Sequence, residues 1–205
     1  MRPKYDFHGD PERFQELANL ISSKFGKDIQ YIADVAGGQG MLSKLLNKKY
    51  NYTSEVIDPR GWRIKGVPGR EQIFNPDMAS YYDLVIGLHP DEATRAVAIS
   101  ALFTKTILIP CCNFWDFQQR LGTVALVEAI EAFYKDNNVI YERIDLNIAG
   151  PKKIALITEP PKNKRPLSNL YLPPLAENIE GVSKNKKGWI KEAKQKKLAN
   201  SKTLP

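Results

Sequence analysis

The stretch Asp34-Val35-Ala36-Gly37-Gly38-Gln39-Gly40 indicates the fold of this chain. Residues 30–36 predict a short buried strand, and residues 41–47 begin a helical pattern. A glycine-rich turn between a strand and a helix lets a ligand approach the backbone closely. The free N–H groups at the start of the helix favour negative charge there. The stretch therefore predicts a ligand site at a strand–turn–helix junction.

The next predicted strand, residues 52–57, ends at Asp58, where a carboxylate can hold the two hydroxyls of a ribose. Together with the glycine turn, this is the layout of a nucleoside-cofactor site. A dinucleotide fingerprint has glycine where this chain has Ser43, and its strand end is normally apolar where this chain has Asp34. An acid at Asp34 can instead hold the ammonium group of a methionine-like ligand, directly or through water. Dinucleotide binding and an ordinary glycine turn of an α/β protein remain alternatives.

The rest of the chain alternates strand and helix patterns up to a final hairpin. The predicted helices are residues 10–25, a helix from residue 41, 91–102 and 119–134. The predicted strands are 30–36, 52–57, 71–74, 82–87, 105–109, 141–148 and 153–158. Such alternation predicts a doubly wound α/β fold, with a mainly parallel seven-stranded sheet and a C-terminal antiparallel hairpin strand.

The glycine stretch resembles motif I of class I S-adenosylmethionine (SAM) methyltransferases, an acid followed by x-G-x-G-x-G, with Ala36 in place of the first glycine. The resemblance covers roughly residues 5–160 and includes the reversed last strand, which dinucleotide folds usually lack. It implies a methyltransferase that uses SAM as its cofactor. The cofactor-binding residues expected on this basis are Asp34, Ala36, Gly37, Gly38, Gly40, Asp58, Pro59, Asp77, Gly87 and Leu88.

Two further segments resemble a methyltransferase branch that includes transfer-RNA 2′-O-methyltransferases. These are Gly87-Leu88-His89 after the fourth strand and Pro110-Cys111-Cys112 after the fifth. The chain departs from that branch at Pro90-Asp91-Glu92, where those relatives have small residues and Cys.

The ends of these two strands supply the candidate acceptor site, because ligands of open α/β sheets bind at the carboxyl ends of strands. His89 can act as a base near neutral pH. Asp91 either caps the next helix or joins the site. Phe114 and Trp115, next to the cysteines, suggest a lining surface, although a buried thiol is usually structural. The predicted catalytic residues are His89, Asp91, Cys111, Cys112 and Asn113.

No metal site is expected from the sequence. A zinc site built from the two cysteines with His8 and His89 is conceivable, but the ligand spacing of known zinc sites is absent.

The positive charge of the chain is concentrated at its C-terminal end. Residues 1–161 hold 19 Lys and Arg against 20 Asp and Glu, a net charge of −1, whereas residues 162–205 hold 11 against 3, a net charge of +8. We therefore expect a methyltransferase domain over residues 1–160, and a Pro-rich linker with a Lys-rich tail over 161–205. A basic tail can attract RNA over long range. The residues expected to contact RNA are Arg60, Trp62, Arg63, Lys65, Lys184, Lys186 and Lys187.

The sequence shows no apolar run of about 18 residues, the length of a membrane-spanning helix, and its N-terminus lacks a signal-like apolar segment. The only cysteines are adjacent and favour a reducing compartment, so we expect a cytoplasmic protein that does not bind membranes. The expected function is SAM-dependent methylation of transfer or ribosomal RNA. A methyltransferase acting on a ribosomal or translation protein, and a non-catalytic SAM- or nucleotide-binding protein associated with RNA, are the alternatives.

Overall fold

A computed structural model of the chain describes residues 9–116, 118–162, 170 and 172. Its α-helices are α1 (Arg13–Phe25), α2 (Met41–Lys49), α3 (Thr94–Ser100) and α4 (Thr123–Asp136). Its strands are β1 (Tyr31–Val35), β2 (Thr53–Ile57), β3 (Gly69–Arg70), β4 (Leu84–Leu88), β5 (Lys105–Ile109), β6 (Ile140–Asp145) and β7 (Ile154–Glu159). Two short 3₁₀ helices cover Pro76–Tyr81 and Asp91–Ala93.

The strands form one seven-stranded sheet in the order β3-β2-β1-β4-β5-β7-β6. Neighbouring strands are parallel from β3 to β5, and β7 runs antiparallel to both β5 and β6. The predicted fold class, with its reversed last strand, is confirmed. The carboxyl ends of β1, β2, β4 and β5 therefore lie along one edge of the sheet, where the glycine turn and the candidate acceptor segments meet.

Two layers of helices cover the sheet because its central strands are apolar on both faces. Leu84 and Ile86 of β4 point to the layer that contains α1 and α2, whereas Val85 points to the layer of α3 and α4. This is the alternation that a pleated strand imposes on its side chains. Both faces of β4 and β5 are buried, as their continuous apolar runs predict for a parallel sheet.

The third strand lies earlier in the chain than predicted. Residues 71–74 are not a strand: β3 is Gly69–Arg70, whose register pairs Gly69 with Val56. A Cβ at Gly69 would lie 2.5 Å from the carbonyl oxygen of Val56, so only glycine can approach β2 this closely. The apolar Ile73 that suggested a strand is 79% exposed.

Two predicted helix boundaries also shift. The segment predicted as one helix over residues 91–102 is a 3₁₀ turn over Asp91–Ala93 followed by α3, and α4 begins at Thr123 rather than at residue 119. Asp10 lies just before α1, and its carboxylate accepts hydrogen bonds from Glu12 N and from Ala149 N, at 2.9 and 2.8 Å. Asp10 thus ties the β6–β7 turn to the start of α1.

Most of the basic tail, including Lys184, Lys186 and Lys187, lies outside the described residues. Two residues of the predicted linker, Leu170 and Leu172, pack half-buried against the core on the α3 and α4 side of the sheet. Within the described part of the chain, no helix is both long and apolar enough to cross a bilayer.

Candidate active site

The glycine turn between β1 and α2 has a left-handed backbone at three positions. Ala36, Gly38 and Gly40 have φ angles of 53°, 57° and 79°. Glycine adopts this conformation at little cost, whereas Ala36 adopts it under strain. Gly37 is required for a different reason, since a Cβ there would lie 2.5 Å from the side chain of Asp34.

Asp58 links the end of β2 to this turn. Its side chain is 1% exposed, and Oδ2 accepts a hydrogen bond from Gly38 N at 3.0 Å. The predicted pairing of the glycine turn with the acid after β2 is therefore present in the structure. A buried carboxylate that faces a turn of glycines can hold vicinal hydroxyls next to a closely approaching ligand.

The remaining acceptor positions of Asp58 are taken by Arg60. Arg60 N and Nε donate to Oδ1, each at 2.9 Å, and Nη2 donates to Oδ2 at 2.6 Å. With Gly38 N, this gives four donors for the roughly four lone pairs of a carboxylate. Burial alone would raise the pKa of Asp58, but the hydrogen bonds and the charge of Arg60 outweigh it and lower that pKa. A ribose can reach Asp58 only if the Arg60 side chain moves away.

Asp34 faces the interior beneath the glycine turn. Its carboxylate accepts a hydrogen bond from Ser43 Oγ at 2.9 Å, and Ser43 Oγ lies 2.9 Å from Ser54 Oγ. The side chain is 1% exposed. Burial raises the pKa of Asp34 to about 6, the nearby Asp58 carboxylate adds to the rise, and the hydrogen bonds from Ser43 oppose it. In this arrangement Asp34 contacts α2 through Ser43, whose hydroxyl also reaches Ser54 of β2.

The raised pKa of Asp34 predicts a pH-dependent stability. Because the folded pKa of about 6 lies above the ordinary 3.8, the stabilising effect is complete below pH about 4 and is lost as the pH rises through about 6. The loss amounts to roughly 3 kcal/mol, at 1.36 kcal/mol per pKa unit. We expect Asp34→Asn to remove this pH-dependent loss, so that the variant becomes more stable relative to wild type as the pH rises from 4 to 7. Urea unfolding across this range measures the difference.

The matched control for this experiment is Asp28→Asn, because Asp28 is an exposed acid on the surface. That variant should follow the wild-type pH profile. Parallel stability curves for wild type and Asp34→Asn would contradict the assignment.

The loop after Asp58 covers the glycine turn. Ile64 N donates to Gln39 O at 2.9 Å, and a Cβ on Gly40 would lie 2.9 Å from Val67 Cγ1. The four loop residues predicted to contact RNA divide into two groups. Arg60 and Arg63 are half-buried and lie against the protein, whereas Trp62 and Lys65 are exposed to solvent.

His89 lies in a strained turn after β4, with a φ of 55°. Its Nε2 is 2.9 Å from the carbonyl oxygen of Lys152, which lies between β6 and β7. Since a carbonyl only accepts, Nε2 carries the proton, and in the neutral ring Nδ1 carries the lone pair. Burial lowers the pKa of His89, and the positive charges of Arg13 and Lys152 lower it further. The hydrogen bond to the Lys152 carbonyl opposes these effects and raises the pKa. The neutral ring is therefore the favoured form.

Three other predicted catalytic residues lie together. Cys111 Sγ donates to Asp91 Oδ1 at 3.1 Å, and Lys152 Nζ lies 3.8 Å from Cys112 Sγ. Burial and the Asp91 carboxylate raise the pKa of the Cys111 thiol. Asp91 makes no side-chain cap to the 3₁₀ turn that it begins, so the alternative role considered for it is not observed.

The residues after the cysteines do not line a site. The amide of Asn113 is used inside its own loop, where Nδ2 donates to Asp116 O and Gln119 O, each at 2.7 Å. Phe114 and Trp115 are buried, and Trp115 packs edge-on against Phe133. The lining surface expected from these residues is wrong, because their rings are needed in the core.

Four other predicted cofactor residues have surroundings that the sequence did not indicate. Gly87 is buried, and a Cβ there would lie 3.0 Å from both Pro90 and Val97, so its small size serves packing. Leu88 packs half-buried against the α1 and α2 layer. Pro59 and Asp77 are exposed.

Sequence reasoning missed three partners at the site. Ser43 was noted only as a missing glycine, although its hydroxyl bonds Asp34. Arg60 follows Asp58 by two residues, a spacing that could have suggested the ion pair between them. Nothing in the sequence indicated Lys152, which the antiparallel hairpin brings to His89 and Cys112.

No protein family model and no curated protein matches this sequence. Solved structures with a similar fold include a sugar N-methyltransferase from Streptoalloteichus sp. (12% identity, TM-score 0.45, covering 79% of this chain and 97% of that chain). A SAM-bound amino pentose methyltransferase from Micromonospora echinaspora is 13% identical (TM-score 0.48; 72% and 90%). A SAM-dependent methyltransferase from Archaeoglobus fulgidus is 12% identical (TM-score 0.43; 72% and 96%). At such similarities, function has to be argued from the residues of this chain.

Proposed function

We propose that this chain is a SAM-dependent methyltransferase. The observation that carries the proposal is the buried Asp58 carboxylate, which accepts from Gly38 N at 3.0 Å and so joins the acid after β2 to the glycine turn. Asp58 would hold the ribose hydroxyls, and the turn around Gly38 and Gly40 would lie against the amino-acid end of the cofactor. The order of the sheet and its reversed β7 agree with the resemblance found in the sequence.

The contacts of Ser43 favour SAM over a dinucleotide. The third glycine of a dinucleotide fingerprint lets the helix pack closely on the strand. Here Ser43 stands at that position, and its hydroxyl bridges Asp34 of β1 and Ser54 of β2. The helix of this chain is thus held to the sheet by a polar network, which the dinucleotide motif does not contain.

His89 is the proposed base of the acceptor site. The sulfonium of SAM supplies an activated methyl group, so the protein has to orient the acceptor and remove its proton. With Nε2–H held on the Lys152 carbonyl, the neutral ring offers the lone pair of Nδ1 for that proton. On this proposal, His89→Ala lowers turnover more than it lowers SAM affinity.

RNA is the proposed substrate, on the basis of charge. Residues 1–161 have a net charge of −1, so the long-range attraction of a polyanion depends on residues 162–205, whose net charge is +8. Within the described body, the exposed Trp62 and Lys65 lie on the loop that covers the glycine turn and are available for stacking and phosphate contact.

Two measurements test the proposal. Calorimetry with SAM and with NAD separates the cofactor classes, and tight NAD binding without SAM binding would reject the cofactor. Transfer of tritiated methyl groups from SAM to RNA or protein fractions separates the substrates. Label in the protein fraction alone would favour a methyltransferase acting on a translation protein.

The contribution of the tail is tested by deleting residues 173–205, which keeps Leu170 and Leu172 on the core. The truncated chain should bind SAM as before, while RNA binding weakens and depends less steeply on salt. Unchanged RNA affinity with the same salt dependence would show that the tail is not the nucleic-acid element.

The ion pair of Asp58 with Arg60 favours a second candidate, a non-catalytic protein associated with RNA. If the pair persists in the presence of SAM, the chain lacks a usable ribose site. A closed site predicts no binding at millimolar SAM, and a non-catalytic protein that does bind SAM would transfer no methyl group to RNA or protein.

A further inference from the structure

Three atoms that can ligate a metal lie together beyond the ends of β4 and β5. One carboxylate oxygen of Asp91 and the sulfurs of Cys111 and Cys112 all lie within 4.8 Å of one another. We propose that this triad binds a divalent, thiophilic ion of the zinc class, with three protein ligands and one open position. The proposal does not depend on methyl transfer, because ion binding requires only these three side chains.

The distances suit a tetrahedral ion. Zinc bonds of about 2.3 Å to sulfur and 2.0–2.2 Å to oxygen place neighbouring ligand atoms about 3.6–3.8 Å apart in a tetrahedron. Cys111 Sγ and Asp91 Oδ1 are 3.1 Å apart, and the remaining pairs lie within 4.8 Å. Small side-chain rotations are sufficient to bring all three atoms onto one ion.

The ligands follow the ends of two paired strands, which places them side by side. β4 and β5 are parallel neighbours, and their last residues, Leu88 and Ile109, pair in register. Asp91 follows β4 in a turn where both it and His89 have positive φ angles, 46° and 55°. In this turn the Asp91 carboxylate accepts a hydrogen bond from Cys111 Sγ, so two of the three ligands already contact each other.

The charges of the site balance with a divalent ion present. Cysteine binds metals as thiolate, so the ligated triad carries three negative charges. A divalent ion neutralises two of these negative charges and leaves one. The ammonium of Lys152, 3.8 Å from Cys112 Sγ, supplies the positive charge that compensates it.

The nature of the ligands selects the ion. Two sulfurs and one oxygen favour zinc and exclude magnesium and calcium, which take oxygen ligands. Three protein ligands with an open fourth position are typical of catalytic zinc sites, whereas structural sites are closed by four. The open position would hold water or a heteroatom of a ligand.

Cobalt(II) is the probe for this site, because it replaces zinc and absorbs visibly when bound to thiolate. The full-length, reduced chain is titrated with Co²⁺ under anaerobic conditions and then with Zn²⁺. We expect one ion per chain, a thiolate-to-cobalt charge-transfer band, and loss of that band as zinc displaces cobalt. Cys111→Ser and Cys112→Ser should each lose most of the band, and Asp91→Asn should bind cobalt at least tenfold more weakly.

Glu92→Gln is the matched control, since Glu92 is an exposed acid next to Asp91 and does not belong to the triad. It should bind cobalt as the wild type does, and circular dichroism shows that each variant is folded. Absence of the charge-transfer band in the reduced wild type would overturn the proposal. An equal weakening in Glu92→Gln and Asp91→Asn would also overturn it, because binding would then depend on surface charge alone.

Discussion

Asp58→Ala should lower the affinity for SAM by tenfold or more. The carboxylate would hold both ribose hydroxyls, and hydrogen bonds to a charged group contribute roughly 1.5–3 kcal/mol each. In the free protein the same oxygens are held by Arg60, so part of this energy is offset by the ion pair that must break. Calorimetric titration of wild type and variant with SAM measures the difference, and unchanged affinity would reject Asp58 as the ribose ligand.

Arg60→Ala provides the test of opposite sign. Removing the guanidinium leaves Asp58 with only its two backbone donors, Gly38 N and Arg60 N, so its oxygens become available to a ribose. We expect SAM affinity to rise severalfold. Lys65→Ala is the charge control, because Lys65 is an exposed cation on the same loop. A loss of affinity in Arg60→Ala would show that the guanidinium belongs to the binding site and does not compete for it.

Gly40→Ala should destabilise the fold for two separate reasons. The residue has a φ of 79°, and a Cβ would lie 2.7 Å from Val56 Cγ2 and 2.9 Å from Val67 Cγ1. A left-handed alanine costs roughly 1–2 kcal/mol, and overpacking costs roughly 1–3 kcal/mol more. The free energy of unfolding should therefore fall by roughly 2–5 kcal/mol, as measured by urea denaturation.

Gly66→Ala separates the two causes. Gly66 has a φ of 83°, close to that of Gly40, but nothing lies within 4 Å of its Cβ position. This variant should incur only the backbone cost. If both variants lose the same stability, the predicted clash of Gly40 with Val56 and Val67 is absent.

The agreement between the predicted and observed fold has a physical basis in local patterning. β1, β2, β4 and β5 are each five residues long and were predicted to within two residues at either end. β4 and β5 contain continuous apolar runs, and β1 and β2 combine apolar residues with the buried Asp34 and Ser54, so each strand is largely specified by its own sequence. β3 was misplaced because it depends on a neighbour: Gly69 is a strand residue only because β2 lies against it.

The candidate site was predicted less completely than the fold. The pairing of Asp58 with the glycine turn followed from strand order, since the carboxyl ends of β1 and β2 lie side by side. The inward direction of Asp34 was not predicted, although strand alternation places it on the same face as Ile32, toward α2.

The sequence by itself determined the strand–helix alternation, the glycine turn and the acid after β2, because each depends on residues close together in the chain. Tertiary structure decided which side chains meet. Lys152 comes from the last hairpin to His89, and Asp91 approaches Cys111 across two strand ends. These contacts join residues 63 and 20 positions apart, and no local pattern encodes them. They arise because the sheet brings the segments that follow β4 and β5, and the turn between β6 and β7, to the same edge.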